Sequence, residues 1–191
     1  MMELLVVITI IALLAGILFT GLSGAFGLGA TRATRAALES SRALLAEYEV
    51  NAAVTTAGAP FTAAAAIPNP GVVGIGGPGR TSPAMLNAGV VFDRIRKTQR
   101  GGEIWGQLPP AKLVTITATN PSPPPTNLTI TVPLDGWDNP VLYVPAAGLL
   151  ATVNGVANSV VRSPDGRPFF ASAGADEDFL THDDNVYSFE N

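Results

Sequence analysis

Residues 1–30 read MMELLVVITIIALLAGILFTGLSGAFGLGA, and from Leu4 to Ala30 there is no charged side chain. About 20 apolar residues are enough for a helix to cross hydrocarbon, so the run predicts a transmembrane helix. A core helix would be shorter. A cleaved secretory signal has an apolar region of about 7–15 residues behind a positive start, and no Lys or Arg precedes this run. Glu3 is the one residue out of keeping. A carboxylate in the bilayer costs a few kcal/mol even on the gentler scales, so an intramembrane acid is functional by default and needs a partner. The plainer alternative puts Glu3 at the interface.

Working outward, the nearest basic residues are Arg32, Arg35 and Arg42, all after the run. Taken alone they would hold that side in the cytoplasm. Basic residues ahead of Met1 would reverse this. The helical pattern continues in polar form, with Ala33, Ala37, Leu44 and Tyr48 as an apolar stripe and Arg35 and Glu39 on another face. One helix is expected from about residue 2 to about residue 50. Gly16, Gly21, Gly24, Gly27 and Gly29 fall where its halves meet. Each costs roughly 1 kcal/mol of helix stability relative to alanine, which predicts either a soft joint or close helix packing.

Residues 51–82 are rich in Gly, Ala and Pro and read as a long irregular connection. A second helix follows, capped by Ser82, with Pro83 at its first position, Met85, Ala88, Phe92 and Ile95 on one face, and Gly101-Gly102 as its stop. Beyond it the period changes to two. LVTITA and LTITVP alternate, PVLYVPA is short and β-branched, and SVVRSPDGRPFFASA reads as a hairpin turning at Asp165-Gly166. The expected fold class is α+β, with one antiparallel sheet of four to six short strands.

Composition narrows the function. The chain has 191 residues, no cysteine and a net charge of −4. No disulfide can staple it, and the charge argues against nucleic acid as a partner. Gly74–Gly79 reads GIGGPG and matches a dinucleotide fingerprint literally, but prolines surround it and no acidic residue follows about 20 positions on. It is read as a loop. Arg94, Arg96, Lys97 and Arg100 are read as a solvated helix face or as partners of acidic neighbours. His182 is the only histidine, and no catalytic set assembles around it, so an enzyme is not expected. The last acidic run, AGADEDFLTHDDN, is different. Clustered hard oxygens are what calcium selects, yet the spacing is not that of a helix-loop-helix calcium site. On the residues alone, a metal loop and a solvated loop stand level.

MMELLVVITIIALLAGIL resembles the N-terminus of type IV pilins and type II secretion pseudopilins. In that family prepilin peptidase cuts after the Gly of a basic leader, exposing a Phe that becomes methylated, followed by Thr, two apolar residues and a Glu. The resemblance implies that Met1 and Met2 hold the third and fourth mature positions and that Glu3 is the family glutamate. It also implies a leader with Gly-Phe-Thr ahead of Met1, which would supply the missing basic residues. Glu3 would then neutralise the terminal ammonium of the adjacent subunit as helices stack. Near the other end, DGWDNPVLYV is similar to the Asp-x-Trp-Gly-Asn-Pro-x-x-Tyr stretch of the major pseudopilin, with Asp138 where glycine is usual. FFASAGADEDFLTHDDNVYSFEN is similar to its final segment, where calcium pins an aspartate-rich loop. By that similarity Asp176, Asp183 and Asp184 are ligands, with Asp178 a further candidate.

The resemblance thus implies a pilin-like fold: a long N-terminal helix packed on a small antiparallel sheet, closed by a C-terminal metal-binding loop. The expected divisions are 1–29 as transmembrane and filament-core half-helix, 30–50 as its periplasmic half, 51–110 as a variable connection with a second helix, and 111–191 as sheet and acidic loop. The implied role is a structural subunit of a type II secretion pseudopilus. It would span the inner membrane once with its C-terminal domain in the periplasm, and form a helical homo-oligomer with other pseudopilins and the secretion platform as partners. A type IV pilin for adhesion, motility or DNA uptake is the alternative within the same architecture. A membrane-anchored periplasmic binding module is the alternative from another class.

Overall fold

The computed structural model describes residues 2–55, 83–120, 126–181 and 184–190, and within the first helix the side chains of 6–17 and 27–50. Helix α1 runs Met2–Thr55 and is followed by α2 (Pro83–Ile95) and α3 (Gln99–Gln107). A 3₁₀ turn at Pro110–Lys112 leads into β1 (Leu113–Asn120), β2 (Thr126–Pro133) and β3 (Leu142–Val144). Then come β4 (Leu149–Val153), β5 (Val156–Val161), β6 (Phe169–Ser172) and β7 (Val186–Tyr187). Helices and small antiparallel sheets make an α+β fold. Of the expected connection, residues 56–82 lie outside the described residues, and Ser82 and the GIGGPG loop lie there too.

The period-two segments pair antiparallel as expected, but not in one sheet. Among the described residues β1 pairs with β2, β6 pairs between β3 and β7, and β4 pairs with β5. Proline explains the division, because it cannot donate to a ladder. Pro133 ends β2, Pro140 makes only an isolated bridge to Leu134, and Pro145 follows β3. The expected hairpin through Asp165-Gly166 is also corrected. That segment does turn, with Gly166 at φ 67° and the Asp165 carboxylate accepting from the Ser163 hydroxyl and the Arg167 N–H. Its flanking strands belong to different sheets, however: β5 pairs with β4 across Asn154-Gly155, where both φ values are positive (51° and 76°), the signature of a tight hairpin turn.

Helix α2 starts at Pro83 and buries Met85, Ala88, Phe92 and Ile95, the predicted face. It stops at Ile95, before the glycines. Thr98 caps a new helix, its Oγ1 accepting from Gly101 N–H at 3.1 Å. Gly101 therefore stands in the first turn of α3, where a Cβ would collide with the Ile95 carbonyl; the glycine permits the close step between helices. Arg96 and Lys97 pair with Asp93, and Arg100 reaches Glu47 at 3.9 Å. These are partners among acidic neighbours, as the plainer reading had it.

Three of the four predicted stripe residues on α1 face the core: Leu44 is buried, and Ala37 and Tyr48 pack against the core half-buried, while Ala33 is exposed. Thr34, Leu38, Ser41 and Leu45 complete the buried face. Two hydroxyls can lie on a buried face because each bonds its own helix: Thr34 Oγ1 to Ala30 O at 3.0 Å, Ser41 Oγ to Ala37 O at 2.8 Å. Leu38, Leu44 and Leu45 join Phe92, Ile95, Tyr143, Phe170 and Phe179 in one core. Phe92 stacks on Phe170 with ring centres 5.1 Å apart. α1 passes through the glycine-rich stretch as continuous helix.

Candidate functional site

The turn between β2 and β3 is braced by a set of buried polar contacts. Asp135, 1% exposed, accepts at Oδ1 from the N–H groups of Trp137 (2.8 Å) and Asn139 (2.9 Å), and at Oδ2 from the Ser172 hydroxyl (2.5 Å). Burial pushes its carboxyl above the usual value, against the pull of Ser172, the two backbone donors and nearby Lys112. Lys112 Nζ donates to the Asp135 carbonyl at 3.0 Å and pairs with the Asp138 carboxylate. Asp138 sits at φ 66°, a left-handed conformation that Asp tolerates better than most residues and Gly best.

From this turn, contacts run in two directions. Toward α1, Gly136 N–H donates to Thr34 Oγ1 at 2.9 Å, and a Cβ on Gly136 would collide with the Ala30 backbone. Toward the C-terminus, Asn139 Nδ2 donates to Gly174 O at 2.7 Å, and Ser172 Oγ accepts from Gly174 N–H at 3.1 Å. Gly174, at φ 70°, lies against Asp184, with no room for a Cβ. One continuous polar brace thus joins α1, the turn and the acidic loop.

In that loop the Asp184 carboxylate accepts from the N–H groups of Ala175 and Asp176. Asp176 accepts from Asp178 N–H at 3.0 Å and from the Thr181 hydroxyl, and Asp178 accepts from Leu180 N–H at 2.9 Å. Phe179 anchors the loop, fully buried, with its carbonyl accepting from Thr152 N–H at 3.1 Å. The side-chain donors are all oxygens, the set a hard cation takes. Among the described residues the Asn185 Oδ1 beside Asp184 is buried without a hydrogen-bond partner, which leaves it available to a cation. Among the described residues no three acidic or imidazole groups converge on one point. The donor chemistry fits calcium, and the chain's own amides engage the carboxylates of Asp176, Asp178 and Asp184.

The sequence-predicted site residues divide accordingly. Asp176, Asp178 and Asp184 share the loop; Asp183 and His182 lie outside the described residues. Glu3 falls in the first turns of α1, and its side chain lies outside the described ones. Every described side chain from 6 to 17 is exposed, with Val, Ile and Leu in that stretch 53–62% accessible. Among the described residues no helix is long and apolar enough to cross a membrane. Sequence reasoning missed Asp135, Asn139, Ser172 and Gly174 as a connected set. The available signal was an Asp-Gly turn holding a second polar pair between two apolar runs. Comparison with protein-family models, with curated proteins and with solved structures found no match.

Proposed function

We propose that the chain is a structural subunit of a type II secretion pseudopilus with a pilin-like fold. It stands in the inner membrane and assembles into a periplasmic filament that drives protein secretion. One observation carries the reading: among the described residues the Val, Ile and Leu side chains between Val6 and Ile17 point to all sides of the helix and are 53–62% exposed. A helix apolar all round belongs in lipid or in a bundle. Burying one Val, Ile or Leu side chain is worth roughly 1.5–3 kcal/mol, so eight such residues make either refuge strongly favoured over water.

The glycines support the second refuge. A Cβ at Gly16, Gly27 or Gly29 would meet nothing within 4 Å. No contact among the described residues requires them, and small residues of this kind let a neighbouring helix approach closely. Lipid first and neighbouring helices later is the life of a pseudopilin. In the filament Glu3 is matched by the terminal ammonium of an adjacent copy, and an unpaired carboxylate among apolar helices penalises wrong register. Prepilin peptidase, other pseudopilins and the secretion platform are the proposed partners. Asp176, Asp178, Asp183 and Asp184 would hold calcium, which supplies charge neutralisation and ties the loop's two ends together.

Replacing Glu3 tests the reading. Glu3→Leu is expected to insert in the membrane at normal levels and to yield no filaments by electron microscopy of sheared fractions. Filaments in normal number from Glu3→Leu would overturn it.

A further inference from the structure

The 27 residues from Leu4 to Ala30 carry no charge, and at about 1.5 Å per residue they rise about 40 Å as helix. The hydrocarbon of a bilayer is about 30 Å thick, or about 40–45 Å with its headgroups. On the reading of α1 as a membrane anchor, which this inference rests on, Ala30 therefore stands in the headgroup layer. The next turn of the helix carries Arg32 and Arg35, both exposed. With Leu28, 64% exposed, they follow spacings of four and three residues and share one face of α1. Helical side chains lean toward the N-terminus, which sets both arginines back toward the end of the uncharged run.

These two charges differ from the rest of the basic residues in what answers them. Arg96 and Lys97 share Asp93, Arg100 reaches Glu47 and Lys112 pairs with Asp138. Among the described residues Arg32 and Arg35 have no such carboxylate. The undescribed connections bring none, because residues 51–82 and 121–125 contain no Asp or Glu. Across the helix lies the braced turn: at 3.6 residues per turn, Arg32 points away from Thr34, whose hydroxyl meets Gly136. Gly136 rests on the Ala30 backbone, so Trp137, the next residue, stands at the same level. Its N–H is held by Asp135 at 2.8 Å and its side chain packs half-buried on the core. Indole rings concentrate at the headgroup level of membranes. The exposed acid of the turn, Asp138, is already matched by Lys112.

We infer that Arg32 and Arg35 bind the phosphates of anionic phospholipid where α1 leaves the bilayer, with Trp137 seated in the same headgroup layer on the other side of the helix. Charge and level together choose this occupant. Guanidinium matches phosphate in geometry as well as sign, and basic residues beside a membrane span are drawn to anionic lipid. The rival is the acidic loop of a second copy, but the carboxylates of Asp176, Asp178 and Asp184 are already engaged by the amides of their own loop. Contacts on both sides of α1 hold the domain against the membrane and fix the direction in which the helix enters it.

The full chain reconstituted in vesicles tests this, with Trp105→Phe leaving Trp137 as the only indole. The vesicles are phosphatidylcholine alone, or phosphatidylcholine with phosphatidylglycerol as one lipid in three, each with a trace of lipid bearing a nitroxide near its headgroup. Trp137 fluorescence should be quenched at least about twofold more in the anionic vesicles. Arg32→Gln combined with Arg35→Gln should return the quenching to the neutral level. Glu3→Leu should leave it unchanged, which separates this contact from filament assembly. If Trp105→Phe does not fold, the difference between the parent and its Trp137→Phe variant gives the same reading. Equal quenching in both vesicles, no response to the arginine substitutions, or loss of quenching with Glu3→Leu, the mark of a second copy as occupant, would each overturn the inference. A chain that floats with the vesicles yet shows no quenching overturns the headgroup contact and leaves α1 as an anchor. A chain that floats with neither vesicle overturns both.

Discussion

Gly136 and Thr34, 102 positions apart in the chain, meet in a single hydrogen bond of 2.9 Å from backbone N–H to hydroxyl. That bond lies where the part of α1 that packs on the domain begins: Thr34 is buried, whereas the described side chains from 27 to 29 are exposed. The same Thr34 hydroxyl donates to Ala30 O, so one oxygen serves the helix and the turn together. The direction in which α1 leaves the domain is set there, by a backbone contact too close for any side chain on Gly136.

Gly136→Ala should therefore destabilise the domain. The added methyl meets the Ala30 carbonyl, a backbone group that cannot swing aside. Overpacking of this kind typically costs about 1–3 kcal/mol, and for a chain of this size each kcal/mol moves the melting temperature by about 2–4 °C. Thr34→Val, which keeps the shape and removes the acceptor, should cost about 1–2 kcal/mol. Thermal melts of both variants check this, and Gly136→Ala melting with the parent would refute the close approach.

Asp135 predicts a pH dependence whose sign follows from its burial. Its folded pKa is raised above 3.8, so the folded chain holds that proton more tightly than the unfolded chain. The resulting stabilisation is complete below about 4 and is lost as pH rises through the raised value. Asp135→Asn cannot titrate. The melting temperature of the parent relative to Asp135→Asn should thus fall as pH is raised from 4 toward 7. Asp93 has the opposite sign, because hydrogen bonds from Lys97 and then Arg96 lower its pKa. Its contribution is present above 3.8 and fades in acid. With the side chain 35% exposed, it is a surface pair worth about 0.2–1 kcal/mol. Melts of Asp135→Asn and Asp93→Asn across pH 3–7 should therefore diverge from the parent in opposite directions.

How far the fold was legible depends on whether its cause was local. The face of α2 was read correctly because Met85, Ala88, Phe92 and Ile95 follow the helical period and tertiary burial agrees. Threonine–isoleucine alternation gave β1 and β2 for the same reason. On α1 the periodicity shows Ala37, Leu44 and Tyr48 toward the core, but not Thr34 and Ser41, whose polarity their own helix satisfies. Gly101 was taken for a stop when it serves a close contact, and a glycine's neighbours are not written beside it. Asp165-Gly166 gave a turn without a hairpin, since which strands pair depends on partners far along the chain. Of the site, the acidic loop was visible as composition. The Asp135 brace was not, because Lys112, Ser172 and Gly174 reach it from three separate segments.

Calcium is expected to raise the melting temperature of the domain. A ligand at 100 times its dissociation constant stabilises the folded state by about 2.7 kcal/mol, equal to roughly 5–11 °C at the rate of about 2–4 °C per kcal/mol. Chelation should remove that increment and added calcium restore it. Asp184→Ala, which deletes the acceptor of the Ala175 and Asp176 amides, should melt lower than the chelated parent and show no calcium response. Identical melts with chelator and with calcium would remove the metal from the proposal and leave the loop closed by its own amides.

Gly174→Ala bears on the brace as a connected structure. At φ 70° an alanine is strained, and its methyl would run into the Asp184 carboxylate and carbonyl. Gly155→Ala is the matched control, with φ 76° and nothing within 4 Å, so it carries only the backbone cost of about 1–2 kcal/mol. Gly174→Ala should exceed that control clearly, and the excess is the contact with Asp184. A double variant then asks whether the two ends communicate. Independent distant sites add within about 0.3–0.5 kcal/mol, whereas members of one network do not. Since Asn139 and Ser172 both hold Gly174 and the Asp135 turn together, displacing Gly174 should already loosen Gly136 from α1. Gly136→Ala combined with Gly174→Ala is therefore expected to cost at least 0.5 kcal/mol less than the two separate losses taken together, by denaturant titration. Strict additivity would mean that the acidic loop and the exit of α1 are braced separately, each by its own half of the turn.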